Sequence, residues 1–308
     1  MDLEFWIVTT LNRALAYGTP ILLATLGEIY AERSGVLNLG VEGMMILGAF
    51  FAFCTTFFTA NPWLGVLIGA LVAGLASLLH AFLSITLRVN QIISGLALTM
   101  LGLGISGTLG RGWEGKILES TIASVEIDYL SKIPILGPIL FTNQNSLVHL
   151  SILIAFGLWF LLFKTRIGIS IRAVGENPAA ADVMGINVWK IRYLCVFLGG
   201  LLAGLAGSYL SVAYQPAWAS GMTAGMGWLA VALTIFAFWN PLLGMVGAFL
   251  FGALYHLSFR LQNWVAPEIL NSLPYLFPIV VLIIVARFAS KKRIGAPAVL
   301  GQPYKRGE

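Results

Sequence analysis

From residue 193 to residue 259 the chain runs 67 residues without an Asp, Glu, Lys or Arg. A helix needs about 20 residues to cross roughly 30 Å of hydrocarbon, so this stretch alone is long enough for about three crossings. Further uncharged runs cover 43–87, 89–110, 133–163 and 269–286. Only 10% of the 308 residues are charged and 58% are hydrophobic, a balance that no water-soluble domain of this length tolerates. The chain therefore reads as an all-α polytopic membrane protein, a single transmembrane domain over residues 1–308. Asn61-Pro62, Gln215-Pro216 and Asn240-Pro241 punctuate the apolar runs. They divide them into about nine expected spans, near 8–31, 35–59, 63–86, 91–110, 147–163, 193–213, 220–239, 242–259 and 272–288.

Lys and Arg concentrate in cytoplasmic loops, which sets the expected orientation. With nine spans, Arg33, Arg88, the segment 164–192 and the tail 289–308 with its Lys and Arg residues fall on one side, the cytoplasm. The N-terminus, with Asp2 and Glu4, and the loop 111–146 fall outside. That loop carries three basic and four acidic residues. Topology thus accounts for the net charge of +5, and nucleic acid is not needed as a partner. Acids stand where a signal peptide has a basic region, so no cleavage is expected. Cys54 and Cys195 lie within expected spans and read as small core residues.

Several motifs mimic known chemistry in the wrong context. Gly102-x-Gly104-x-x-Gly107 satisfies a dinucleotide pattern but sits inside an uncharged span. Gly110 to Lys116 resembles a phosphate loop, yet Ile117 stands where Ser or Thr would hold magnesium. His80, His149 and His256 lie in three separate regions, so neither a metal site nor a bound cofactor is expected. Gly200 with Gly204, Ala203 with Gly207, and Gly65 with Gly69 place small residues one turn apart, a pattern for close helix packing.

Polar groups at membrane depth carry more information, because an ionised side chain there is costly unless paired or hydrated. Glu28, Glu32 and Arg33 read as an ion-pair cluster at a span end. In Gly35-Val-Leu-Asn38-Leu-Gly40-Val-Glu42-Gly43, three glycines flank Asn38 and Glu42, which is what a broken or re-entrant second span would need. Asn38 and Glu42 then either line a solute cavity or belong to a structural network. Asn90, Gln91, Ser94 and Thr99 open the fourth span, with Gln91 and Ser94 three apart on one face, and either extend that pathway or serve helix capping and interhelical hydrogen bonds. No chain of Asp, Glu and His runs through the spans, as a proton-driven carrier would require.

One segment stays in water. Residues 164–192 hold five basic and two acidic residues between apolar stretches. Within it, Asn177-Pro178-Ala179-Ala180-Ala181-Asp182-Val183-Met184-Gly185 carries the signals of a short helix: an Asn cap, Pro in the first turn and a closing Gly. So short a helix is marginal alone and must dock, on its own membrane domain or on a soluble partner.

The stretch 27–45 around Gly-Val-Leu-Asn-Leu-Gly-Val-Glu-Gly, together with 171–188 around Asn177-Pro178, resembles the permease subunits of bacterial ABC importers. More narrowly, the chain is similar to the shorter of two paired permeases in the nucleoside and simple-sugar branch of the branched-chain amino acid and ribose permease family. That resemblance implies a half-channel in the bacterial cell membrane. Its partners would be a second permease, cytoplasmic ABC ATPases, which hydrolyse the ATP in place of this chain, and an extracytoplasmic binding protein. It further implies a coupling helix built from Gly175, Glu176, Asn177, Pro178, Ala179, Ala180, Ala181, Asp182 and Gly185. The solute would be a nucleoside, with riboflavin or a simple sugar as alternatives. Tyr214, Trp218 and Trp228 would stack on a ring or serve as interfacial aromatics. An ion-coupled secondary carrier would need inverted repeats and ion-binding carboxylates, and a membrane enzyme a cluster of acid, base or metal ligands; the sequence offers none of these clearly.

Overall fold

The computed structural model describes residues 3–270 except 127, 135, 263, 267 and 268; from 271 to 295 only 276, 280 and 283; and residues 296–306. The chain is helical almost throughout. In order, the helices are α1 (Leu3–Arg33), α2 (Val41–Thr59), α3 (Pro62–Ala81), α4 (Gln91–Gly110), α5 (Asp128–Ser131) and α6 (Leu136–Leu140). They continue with α7 (Ser146–Lys164), α8 (Arg166–Glu176), α9 (Pro178–Val183), α10 (Val188–Tyr209), α11 (Met226–Phe236) and α12 (Pro241–Leu261). Two-residue strands at Ser124–Val125 and Gln144–Asn145 pair antiparallel in the loop between α4 and α7. The helices α3 and α10 each close in a π-helical turn, at Phe82–Thr86 and Leu210–Tyr214.

Helix starts follow one local rule. The side chains of Asn61, Asn90, Asn145, Asn177, Asn187 and Asn240 each accept a hydrogen bond from the first turn of the helix they precede, and Pro follows Asn61, Asn177 and Asn240. Each cap satisfies a donor that would otherwise be bare, worth about 1 kcal/mol.

Six of the described helices are long and apolar enough to cross a membrane: 41–59, 62–86, 91–113, 146–164, 188–214 and 241–261. The chain is thus an α-helical multi-pass protein. The first expected span is the 31-residue α1, which carries Pro20 inside it. The second begins later than expected, because 34–40 is not helical and α2 starts at Val41. The expected span 220–239 contains only the 11-residue α11, preceded by an irregular stretch from Gln215 to Gly225. The expected span at 272–288 lies largely outside the described residues.

Burial sorts the helices into layers. In α2 and α10, 72% and 78% of the apolar window is buried, against 28–39% in α3, α4, α7 and α12. Helices α1, α2 and α10 form the centre, and the others surround them with Leu67, Leu75, Met100, Leu153, Phe160 and Val246 facing outward. Such a belt would be an aggregation surface in water and is the lipid-facing surface in a bilayer.

Small residues allow the central helices to touch. A Cβ on Gly48 would come within 2.5 Å of the Gly204 backbone, and one on Gly69 would do the same to the Gly48 carbonyl. Gly200 meets Ala73 and Ser77, Gly207 meets the Met45 carbonyl, and Gly65 meets Ala52 and Thr56. The three small-residue pairs read from the sequence therefore lie on the contact stripes joining α2, α3 and α10. Ser208 and Ser211 add hydrogen bonds to the Gly48 and Ala49 carbonyls at 3.4 and 2.7 Å.

Gly204→Val places two methyls against backbone and should cost on the order of 1–3 kcal/mol, seen as a fall in the unfolding midpoint of the detergent-purified protein. Gly104→Ala, with nothing within 4 Å of the added Cβ, should leave that midpoint unchanged.

Candidate functional site

Between Arg33 and Val41 the backbone leaves the helical path alongside the first turns of α4. From Gln91 to Thr99, α4 descends roughly 12 Å, so the break reaches well below the helix ends. Backbone polar groups at that depth need partners from the protein, and side chains of three helices supply them. Gln91 Oε1 on α4 accepts from the Leu37 amide at 2.7 Å, and Glu28 Oε1 on α1 accepts from the Asn38 amide at 3.0 Å. His80 Nε2 on α3 meets the Leu37 carbonyl at 3.1 Å, and Thr99 donates to the Leu39 carbonyl at 2.9 Å. Asn38 Oδ1 accepts from the Gly40 amide at 2.9 Å, an Asx turn that sets up the start of α2.

Ser94 completes this arrangement through His80, with Oγ 3.0 Å from Nδ1. A carbonyl only accepts, so the neutral His80 ring carries its proton on Nε2 and its Nδ1 accepts from the Ser94 hydroxyl. Glu28, Asn38, His80, Gln91, Ser94 and Thr99 are all at most 3% exposed. The small residues Gly95 and Gly43 permit the approach: a Cβ on Gly95 would sit 2.6 Å from the Leu39 nitrogen, and one on Gly43 2.5 Å from the Thr99 Cα.

Glu42 belongs to a separate constellation. Its carboxylate accepts from the Thr223 hydroxyl at 2.5 Å, from the Gly225 amide at 3.0 Å and from the Gly227 amide at 2.7 Å. It thereby caps the N-terminus of α11, where bare amides and the helix dipole favour a negative charge. Gly225, the residue before α11, offers no side-chain cap of its own. The stretch leading into α11 is pinned at its other end, where the Trp218 amide donates to the Lys116 carbonyl and the Ser220 amide to Glu114. Trp218 is buried against Phe50 and Phe53, whereas Tyr214 and Trp228 are 44% and 40% exposed.

The structure brings Asn38, Gln91 and Ser94 together and sets Glu42 apart from them. Glu28 and Arg33 do not form the expected ion pair: Glu28 serves the Asn38 amide, and Arg33 donates to the Phe238 and Trp239 carbonyls. Glu32 accepts from the Trp239 indole. His80, Thr223 and Arg192 are not legible in the sequence as site residues, since their partners lie across the fold and no local spacing marks them.

The water-exposed segment folds as two helices rather than one. Helix α8 leads directly into α9, with Asn177 as the shared junction and its Oδ1 accepting from the Ala180 amide at 2.9 Å. Beyond Val183 the Ile186 amide returns to the Ala181 carbonyl at 3.0 Å, a Schellman closure that needs a left-handed residue, and Gly185 provides it with φ of +83°. Pro178 and Ala181 face inward with Val174 and Val188, and Gly175 packs on the Arg33 carbonyl. Ala179, Ala180, Glu176 and the apolar Val183 and Met184, 87% and 81% exposed, face away from the bundle.

A multi-pass helical bundle with one membrane helix broken over a polar network, a second started midway, and a short capped helix displayed at one end has the build of a membrane permease. The comparisons with known proteins are specific about which kind. The chain belongs to the family described as branched-chain amino acid transport system / permease component, which matches residues 10–286. It is 40% identical to a putative glucose ABC transporter permease of Haloferax volcanii, over 96% of this chain and 97% of that one. It is 35% identical to a guanosine ABC transporter permease of Bacillus subtilis over the full length of both. To a nucleoside ABC transporter permease of Lactococcus lactis it is 36% identical, over 87% of this chain and 89% of that one. No solved structure matches it significantly.

Glu42→Gln keeps the side-chain volume but turns one acceptor into a donor facing amide donors. Loss of hydrogen bonds to a charged group costs on the order of 1.5–3 kcal/mol, so amide exchange at Gly225 and Gly227 should quicken by roughly ten-fold or more. Hydrogen exchange with mass spectrometry reads this directly, and unchanged protection would remove Glu42 as the cap.

Proposed function

We propose that this chain is the permease subunit of an ABC importer for nucleosides and forms half of the solute pathway. The observation that carries the reading is its near-full-length similarity to guanosine and nucleoside permeases at 35% and 36% identity. Glucose is the second reading, favoured by the 40% identity to the putative glucose permease. The orientation is N-terminus outside and C-terminus in the cytoplasm, with nine crossings that include α1, α11 and the segment 272–288. The family's mode of action calls for a separate cytoplasmic ATPase and a solute-binding protein outside.

Helix α9 is the coupling helix in this reading. Its flanks Gly175 and Glu176, its body Asn177 to Asp182, and the closing Gly185 fix a rigid knob whose tip is Val183 and Met184. Burying each of these apolar side chains in a groove of the ATPase would contribute about 1.5–3 kcal/mol. Asn38, Gln91 and Ser94 act as the polar lock of a gate rather than as an open pore lining, since each is at most 3% exposed. Glu42 ties that gate to α11. A pathway with such a wall needs an opposing wall, which a second, related permease supplies.

Two outcomes test this. Val183→Asp with Met184→Asp should weaken ATPase binding at least ten-fold while the chain still inserts; co-purification from membranes in mild detergent, with the bound proteins identified by mass spectrometry, measures it. Uptake of labelled guanosine should be suppressed by excess unlabelled nucleosides and not by glucose. Suppression by glucose alone would move the assignment to the sugar.

A further inference from the structure

The last described residues do not trail away from the bundle. The Val299 amide donates to the Gly175 carbonyl at 3.1 Å, and the Gly301 amide donates to the Gly35 carbonyl at 3.2 Å. Gly175 lies in the last turn of α8, two residues ahead of the Asn177 cap of α9, and Gly35 is the second residue of the break between α1 and α2. Arg192, buried on α10, joins the same two parts: Nε donates to the Ser34 carbonyl at 3.2 Å and Nη1 to the Gln302 carbonyl at 3.2 Å. Leu300 packs into the cluster of Ile29, Tyr30, Leu162, Ile171 and Trp239. Tyr304 packs on Val174, Ala181 and Val188, and Arg306 Nε reaches Asp182 Oδ2 on α9 at 2.8 Å.

We propose that residues 297–306 are a brace that transmits displacement of the α8–α9 unit to the break at 34–40, so that tail and break move together during transport. The inference rests on α9 being the coupling helix. Physically, ten residues contact both the α8–α9 unit and the mouth of the break, with one main-chain hydrogen bond to Gly175 of α8 and one to Gly35 that fix direction as well as distance, and with Tyr304 and Arg306 reaching α9 through their side chains. The Arg306–Asp182 pair, with Arg306 80% exposed, adds register more than affinity. A left-handed turn at Gly301, φ +77°, aims its amide at Gly35.

The test is the number of solute molecules imported per ATP hydrolysed by the complete reconstituted transporter, with guanosine, or glucose if the uptake assay selects it. Gly301→Pro removes the amide that binds Gly35 and cannot adopt the native φ. Truncation before Pro297 removes the brace entirely. In both, ATPase co-purification and hydrolysis should persist while transport per ATP falls five-fold or more. Gln302→Ala, which keeps the carbonyl, should leave the ratio unchanged. If truncation prevents assembly, Gly301→Pro decides alone. An unchanged ratio in Gly301→Pro overturns the brace, even where the Val183→Asp, Met184→Asp variant has shown that α9 docks the ATPase. Persistence of docking in that α9 variant would instead overturn the coupling helix, a separable failure.

Discussion

A peptide group below the membrane surface must find a hydrogen-bond partner within the protein, and the segment 34–40 meets that demand without helix or sheet. Leu37, Asn38 and Leu39 each hand a backbone group to a side chain on α1, α3 or α4, namely Glu28, Gln91, His80 and Thr99. Much of the architecture can be understood as serving this lock. Gly95 and Gly43 bring α4 and α2 close enough for it, and Ser94 orients the histidine ring. Side-chain partners of this kind hold one geometry while leaving the segment outside any main-chain ladder. The gate proposed for this segment would use that arrangement.

Two further attachments give the break its connections. On one side Glu42, one residue into α2, holds the N-terminus of α11, so a shift of α2 carries the irregular stretch 215–225 with it. On the other side Ser34 and Gly35 are held by Arg192 and by the C-terminal segment, which also touches α8 and α9. The break therefore lies on a continuous path from the displayed tip of α9 to the start of α11. In the proposed reading, force applied by an ATPase at Val183 and Met184 would reach the membrane interior along that path.

How much of this the sequence disclosed depended on the range of the interaction. Local signals read well: Asn177 with Pro178 and Gly185 marked α9 to within a residue at each end, because cap, first turn and closure are all set by near neighbours. Gly35 to Gly43 marked the break for the same reason. The packing pairs along α10 were also visible, since small residues one turn apart have few other uses. What could not be read was who satisfies whom. Glu28 beside Arg33 suggested an ion pair, but the two side chains turn to different places, the Asn38 amide and the turn that follows α11. His80 gave no sign of its role, because its partners are 14 and 43 residues away. An uncharged run also looks the same whether it forms a full helix or, as at 215–236, an irregular entry followed by three turns.

Opening of the 34–40 lock during transport is the step on which the proposed function depends. Its most direct test is the reactivity of a single cysteine at Leu37, in a background with Cys54 and Cys195 replaced, within the reconstituted transporter. A water-soluble maleimide should label that cysteine slowly at rest and several-fold faster during ATP turnover with solute-loaded binding protein. Equal rates in both states, while solute is being imported, would contradict the account and leave the break a static support.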